Sequence, residues 1–451
     1  MERIESAITS AIRHRPLNAL ITETFDLARH QAKEAIKRGQ KPFPLVVKDC
    51  YALKGVRATC ASKMLKDYVP PYTATSVQRL IDSGGCVIGK GNMDEYSMGT
   101  SSALGHFGPV KNGLSNLEKL DDDWVVAGGS SGGPAVSVQM GIADCSIGSD
   151  TGGSVRNPAA FTGVFGFKPT YGTISRYGLI PLVNSLDAPS IFAQSAEECW
   201  RFFEIAAGQD ANDSTSIDPK TSLLSKKLSD LVIGIPKEYH NESLTDEAWQ
   251  LWNRAANILT RLGAKVQTVS LPLTKYSLIC YHVASGGDIA SNMARYDSVA
   301  YGHRSSNNQS TFELYSSSRT ESLNSVVKKR IHFGNYFLMK KHRKEYFERA
   351  LKVRRLIAEE MWKAFKEVDL LLTPTACGVA PLFSQLHGEN FARESDDDFY
   401  TQPVNMAGVP AVSIPLGTSP SSNLPLSVQL IGDRLQDRLV LEVAEQLYKA
   451  R

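Results

Sequence analysis

The 451-residue chain predicts a layered α/β fold, because short apolar runs ending at loops alternate with amphipathic stretches of helical period. In chain order, Thr24 to Lys37 places Phe25, Ala28, Ala32 and Ala35 at helical spacing and predicts a first amphipathic helix. The runs Leu45 to Val47 and Cys86 to Ile88 predict strands. Ser195 with Glu198 forms a capping box that opens a helix running through Ala207. Leu231 to Ile235 predicts another strand. Asp246 to Leu262 predicts a helix closed by Gly263, followed by a strand over Lys265 to Leu271. A long helix over Lys344 to Val368 leads into a strand at Leu370 to Leu372, with Phe347, Leu351, Ile357, Met361 and Phe365 expected in the core. Asn212 to Lys227 and Ser419 to Asn423 are polar and predict exposed loops. Size alone would allow about three domains. With no repeat or low-complexity tract, residues 1–451 are read as one domain, with a short helical segment over about residues 1–40.

Composition narrows the function classes. At 42% hydrophobic and 22% charged residues, the chain can bury a large core. No apolar stretch is long enough to span a bilayer as a helix. A net charge of +3 is too mild to indicate nucleic-acid binding, so any such ligand would be held by a partner. Seven cysteines, odd in number and without a CxxC pair, argue against a disulfide framework or zinc site and for a reducing compartment. Arg3, Arg13 and Arg15 lack the apolar core of a secretory signal, and Glu2 and Glu5 spoil a clean transit peptide. Two expectations remain: an organellar protein whose import segment is already removed, or a bacterial cytosolic one.

The chemistry is concentrated in two glycine-rich serine segments, Gly128-Gly129-Ser130-Ser131-Gly132-Gly133 and Asp150-Thr151-Gly152-Gly153-Ser154. Such clusters are ordinarily turns. Neither is followed by the Lys-Ser/Thr pair of a P-loop, and neither matches GxGxxG, so phosphate cradling is disfavoured. No histidine lies in either loop to serve a Ser-His-Asp arrangement. Lys48 stands after the apolar run Leu45-Val46-Val47, at the expected mouth of a strand. A serine needs an adjacent base to become a nucleophile. Lysine can be that base once burial removes its charge, and a second hydroxyl can relay the proton. Consecutive small residues also let backbone amides converge on an oxyanion. The amides of Thr151, Gly152, Gly153 and Ser154 are the expected donors.

These motifs resemble the amidase signature family. Lys48 sits in a Val-Lys-Asp context, and the match runs from Gly128 through Arg156 to Phe165-Gly166-Phe167-Lys168-Pro169-Thr170. The resemblance implies one large mixed β-sheet wrapped by helices, with Lys48 as base, Ser130 as bridging serine on a cis peptide, and Ser154 as nucleophile. Within the family, Met93-Asp94-Glu95-Tyr96-Ser97-Met98-Gly99-Thr100-Ser101-Ser102, Ala294-Arg295-Tyr296-Asp297 followed by Tyr301-Gly302, Val327-Lys328-Lys329-Arg330-Ile331 with Gly334, and Asp398 to Pro410 are most similar to the A subunits of glutamyl-tRNA(Gln) amidotransferases. That likeness implies a glutaminase, with Tyr301, Arg330 and Asp398 holding glutamine. It also implies a B subunit that uses ATP and Mg²⁺ and holds tRNA(Gln), a small third subunit, no metal in this chain, and the mitochondrial matrix. A guanidinium suits an α-carboxylate, and an aspartate suits an α-ammonium.

Three departures stand out: Pro134 where the family has a small non-proline residue, Gly91 where it is bulkier, and a stretch before Lys48 shorter than in bacterial members. None touches the triad, and they point to a diverged, organellar protein. The competing readings are a free-standing amidase, which would not need Arg330 with Asp398, a silent scaffold subunit, and a nucleotide-binding protein.

Overall fold

The computed structural model describes residues 1–116, 123–219, 227–386 and 396–451. Residues 220–226 of the expected Asn212 to Lys227 loop lie outside them.

One sheet of eleven strands organises the described residues. The strands are β1 Leu20–Glu23, β2 Phe43–Lys48, β3 Gly85–Gly91, β4 Cys145–Asp150, β5 Phe165–Lys168, β6 Ala188–Ala193, β7 Val232–Pro236, β8 Lys265–Val269, β9 Leu370–Pro374, β10 Ala411–Thr418 and β11 Pro425–Gly432. Their spatial order is β1-β3-β2-β4-β6-β5-β10-β11-β9-β7-β8. Pairing is parallel for β3-β2-β4 on one flank and β9-β7-β8 on the other, and antiparallel from β4 through β6, β5, β10 and β11 to β9. The expected mixed sheet is therefore present. Every residue of β2, β3, β4, β6 and β9 is buried, because helices cover both faces. That explains the short apolar runs Leu45 to Val47, Cys86 to Ile88 and Leu370 to Leu372 by which β2, β3 and β9 are visible in the sequence, whereas β4, with Ser146, Gly148, Ser149 and Asp150, carries no such run. The edge strand β8 instead exposes Lys265, Gln267 and Thr268, which blunts edge-to-edge pairing.

The sequence expectations hold to within a few residues at most ends. The first amphipathic helix runs over Phe25–Lys37, and Ala28, Ala32 and Ala35 are buried as expected. Ahead of it, the segment expected to be helical also contains β1, paired with β3. Ser195 Oγ accepts from the Glu198 amide at 3.1 Å and opens the helix Ala196–Ala206. Thr245 caps Asp246–Arg261, and Gly263 follows at φ +101°. The long helix is shorter than expected, Phe347–Ala364, and its core stripe is displaced. Ala350, Ile357, Met361 and Ala364 are buried, whereas Leu351 is 42% exposed and Phe347 and Phe365 are half-buried. The seam follows positions 350, 357, 361 and 364, and Leu351 stands one residue, about 100°, around the helix from it. All seven cysteines are free and buried.

Two of the sequence departures prove to be one feature. A Cβ on Gly91 would stand 2.8 Å from Pro134 Cδ and 2.9 Å from its Cγ. Pro134 is the third residue of the helix Gly132–Gln139, where its missing N–H has no intrahelical partner to lose. The proline ring thus fills space that a bulkier residue at 91 would occupy, beside Lys48, whose strand neighbour is Gly91. We expect Gly91→Ala to cost about 1–3 kcal/mol by overpacking. In Gly91→Ala/Pro134→Ala most of that loss should return. Urea unfolding of the four-member cycle measures it, and additive losses would separate the two positions.

Candidate active site

Lys48 closes β2 with its side chain entirely buried. Its Nζ lies 2.8 Å from Ser130 Oγ and 2.9 Å from Ser149 Oγ. Burial lowers the Lys48 pKa, with Cys50 and the carboxylates of Asp94, Asp187 and Asp150 opposing that shift. The expected base is thus in contact with the expected bridging serine. Ser130 is buried in the loop before the helix Gly132–Gln139, and the Gly129–Ser130 peptide is cis. Ser149, at the end of β4, was not anticipated: a lone hydroxyl in a strand carries no signal in the sequence.

The second loop leaves β4 at Asp150 and enters the helix Arg156–Thr162. It is joined to the first by the Ser131 amide, which donates to the Ser154 carbonyl at 3.2 Å. Ser154 is half-buried, while Thr151, Gly152 and Gly153 are buried. The loop is held by Asp150, whose carboxylate accepts from the amides of Gly153 at 2.9 Å, Val155 at 3.1 Å and Arg156 at 3.3 Å. The Gly153 amide, one of the expected oxyanion donors, therefore points at Asp150. Fully buried Arg156 meets the same carboxylate at 2.9 Å through Nη2 and 3.1 Å through Nε. Burial alone would raise the Asp150 pKa, and the Arg156 guanidinium reverses this and holds it below the usual carboxylate range. Arg156 also donates to Gln429 Oε1 at 2.8 Å and the Thr401 carbonyl at 3.0 Å, and Thr401 Oγ1 donates to the Gly152 carbonyl at 2.6 Å. Thr151 Oγ1 donates to Asp187 at 2.7 Å, a carboxyl that burial pushes up to about 6. Neither the Asp150–Arg156 cage nor Asp187 was foreseen, since their partners lie up to 273 residues away in sequence.

Of the residues expected to hold a substrate, two are linked to this loop through intervening side chains. The Tyr281 ring lies against Gly152, so close that a Cβ there would meet it at 3.0 Å. Burial raises the Tyr281 phenol, and the opposing charges of Arg330 and Asp398 both act on it. Asp398 accepts from Gln402 Nε2 at 3.0 Å, and Gln402 directly follows the Thr401 that grips Gly152. Arg330 lines a cavity of about 350 Å³ with His282, Ser285, Ile289, Phe333 and Phe337. Its helix Ser325–Leu338 crosses Ser277–Met293 at Gly334 and Gly286, so closely that a Cβ on Gly334 would strike the Gly286 carbonyl. His282 is driven down to about 4 by burial and by Arg330. Tyr301 is 41% exposed, and its ring neighbours are Tyr296 at 6.1 Å and Tyr68 at 6.2 Å between centroids.

A buried lysine in contact with a serine, beside a glycine loop bearing a second serine, is the equipment of a lysine-activated serine hydrolase. The chain belongs to the amidase family, whose model, described as Amidase, matches residues 2–441. It is 47% identical over 456 residues to the A subunit of the mitochondrial glutamyl-tRNA(Gln) amidotransferase of Xenopus laevis, covering 95% of this chain and 87% of that protein. The mitochondrial A subunit of Bos taurus is 45% identical over 460 residues, covering 96% and 87%. Among solved structures, the A subunit of the glutamyl-tRNA(Gln) amidotransferase of Thermotoga maritima superposes with a TM-score of 0.80 at 32% identity, covering 99% of this chain and 90% of that one.

Proposed function

We propose that this chain is the glutamine-hydrolysing component of a glutamyl-tRNA(Gln) amidotransferase, working in the mitochondrial matrix. The observation that carries the reading is the wholly buried Lys48, with Nζ 2.8 Å from Ser130 Oγ beside the Ser154 loop. It is supported by the identity to mitochondrial A subunits along nearly the whole chain.

Neutral Lys48 accepts a proton through Ser130 as Ser154 Oγ attacks the side-chain amide carbon of glutamine. The amides of Thr151, Gly152 and Ser154 receive the oxyanion, which develops only as the bond forms. Lys48 then returns the proton through Ser130 to the leaving nitrogen, and ammonia departs. Water cleaves the γ-glutamyl ester on Ser154 by the same relay in reverse. Arg330 and Asp398 hold the α-carboxylate and α-ammonium of the substrate, with Tyr301 as the third substrate-holding residue. Ammonia passes to a B subunit, which uses ATP and Mg²⁺ to activate Glu-tRNA(Gln) and holds most of the tRNA. A small third subunit completes the complex.

Lys48→Arg tests the base. Arginine stays protonated in proteins, so its activity should fall nearly as far as that of Lys48→Ala, by about 10³-fold or more. In the wild type, kcat/KM for glutamine should rise with pH as Lys48 loses its proton. Burial lowers the Lys48 pKa, so that rise should come below the pH at which an exposed lysine titrates. Substantial turnover by the arginine variant removes Lys48 from this role. Equal losses of charged and uncharged amide turnover in Arg330→Ala would instead favour a free-standing amidase.

A further inference from the structure

The segment after β3 sends three consecutive side chains to three parts of the molecule. The Asp94 amide donates to the Ser130 carbonyl at 3.3 Å, while its carboxylate accepts from the Ser102 amide at 2.9 Å. The Tyr96 ring packs on Tyr296 at 4.9 Å between centroids, and Tyr296 meets Tyr301. Between them Glu95 is only 2% exposed. Its Oε1 accepts from Ser62 Oγ, and its Oε2 accepts from the backbone amide of Asn324 at 2.8 Å.

Asn324 is the N-cap of the helix that carries Arg330: its side chain accepts from the Val327 amide at 2.9 Å. Ser62 Oγ also reaches the carbonyl of Ser322, 3.3 Å away, where the preceding helix Thr311–Ser322 ends. One buried carboxylate therefore fixes the joint between two helices, directly beside the residue that backs Ser130. A buried carboxylate is costly to keep without such partners, and nothing in the triad uses this one.

We propose that Glu95 is a positioning residue for glutamine: it pins the start of the Arg330 helix to the segment behind Ser130, keeping the substrate-holding guanidinium in register with the serines. The inference rests on Arg330 holding the substrate α-carboxylate. Charge-assisted hydrogen bonds are stronger than neutral ones, so the ionised carboxylate grips Asn324 more firmly than the protonated one. Burial pushes the Glu95 pKa up to about 7, opposed by Ser62, the Asn324 amide and the charge of Lys328. The Glu95 charge also acts on the neighbouring Tyr96 phenol.

The test measures kcat and KM for glutamine from pH 6 to 8 in the chain assembled with its B subunit. Glu95→Ala should raise KM about tenfold or more throughout, with kcat changed less than about threefold. Glu95→Gln, a permanently neutral isostere, should match wild type at pH 6 and bind several-fold more weakly at pH 8. If the alanine variant does not fold, the glutamine variant carries the test. Glu95→Ala/Arg330→Ala should be no worse in KM than Arg330→Ala alone, because one residue acts through the other. Unchanged KM in the Glu95 variants, or a loss confined to kcat, overturns the proposal while Arg330→Ala still raises KM. Unchanged KM in Arg330→Ala would overturn the glutamine-holding reading itself.

Discussion

Ser154→Ala is expected to cut glutamine hydrolysis by about 10⁴-fold or more, the scale on which serine hydrolases lose rate without their nucleophile. The fold should survive, because Ser154 is half-buried at a loop and its loss empties no core volume. Its backbone bond to Ser131 remains available to alanine. Only the ammonia source is removed, so the assembled complex should still form Gln-tRNA when supplied with ammonium salts. Stopped turnover with glutamine, restored turnover with ammonium and an unchanged melting temperature form the expected pattern. A trapped γ-glutamyl ester on any other residue would defeat the assignment.

Arg156→Ala is expected to be nearly as damaging, by a different route. The guanidinium is completely buried and joins Asp150, Gln429, Asn405 and the Thr401 carbonyl. Removing one partner of a buried pair leaves an uncompensated charge, a loss of about 3–5 kcal/mol. Here the orphaned carboxylate is also the group that holds the amides of Gly153, Val155 and Arg156. Stability in urea and glutamine turnover should therefore fall together, unlike in Ser154→Ala. Asp150→Asn/Arg156→Ala should recover part of the stability without recovering turnover. A stable, active Arg156→Ala protein would show that the loop keeps its shape without the cage.

What the sequence made legible was local. Strands buried on both faces leave apolar runs such as Leu45-Val46-Val47, and caps such as Ser195 with Glu198 mark helix starts within one or two residues. The two serine loops were visible because glycine is rarely clustered without a backbone reason. Leu351 was misplaced because helical spacing gives a stripe but not which of two adjacent residues lies on it. Ser149, Asp187 and Arg156 were missed as site residues for another reason. Each works through partners from distant strands and helices, and no local pattern announces a hydrogen bond between residues 150 and 405. Gly91 and Pro134 looked like two separate oddities until their contact made them one.

The strand order carries a consequence for biosynthesis. β10 and β11, residues 411–432, are the last strands to leave the ribosome, yet they lie at the middle of the sheet, between β5 and β9. Gln429, which receives Arg156, lies on β11. A nascent chain that has finished both flanks still lacks the staves that join them and the acceptor that anchors the serine loop. Long-range pairing of this kind is slow and leaves strand edges open. The serine loop therefore gains its Gln429 anchor only when these final strands insert. Until then the two flanks of the sheet stay unjoined, with their strand edges open to chaperones and aggregation.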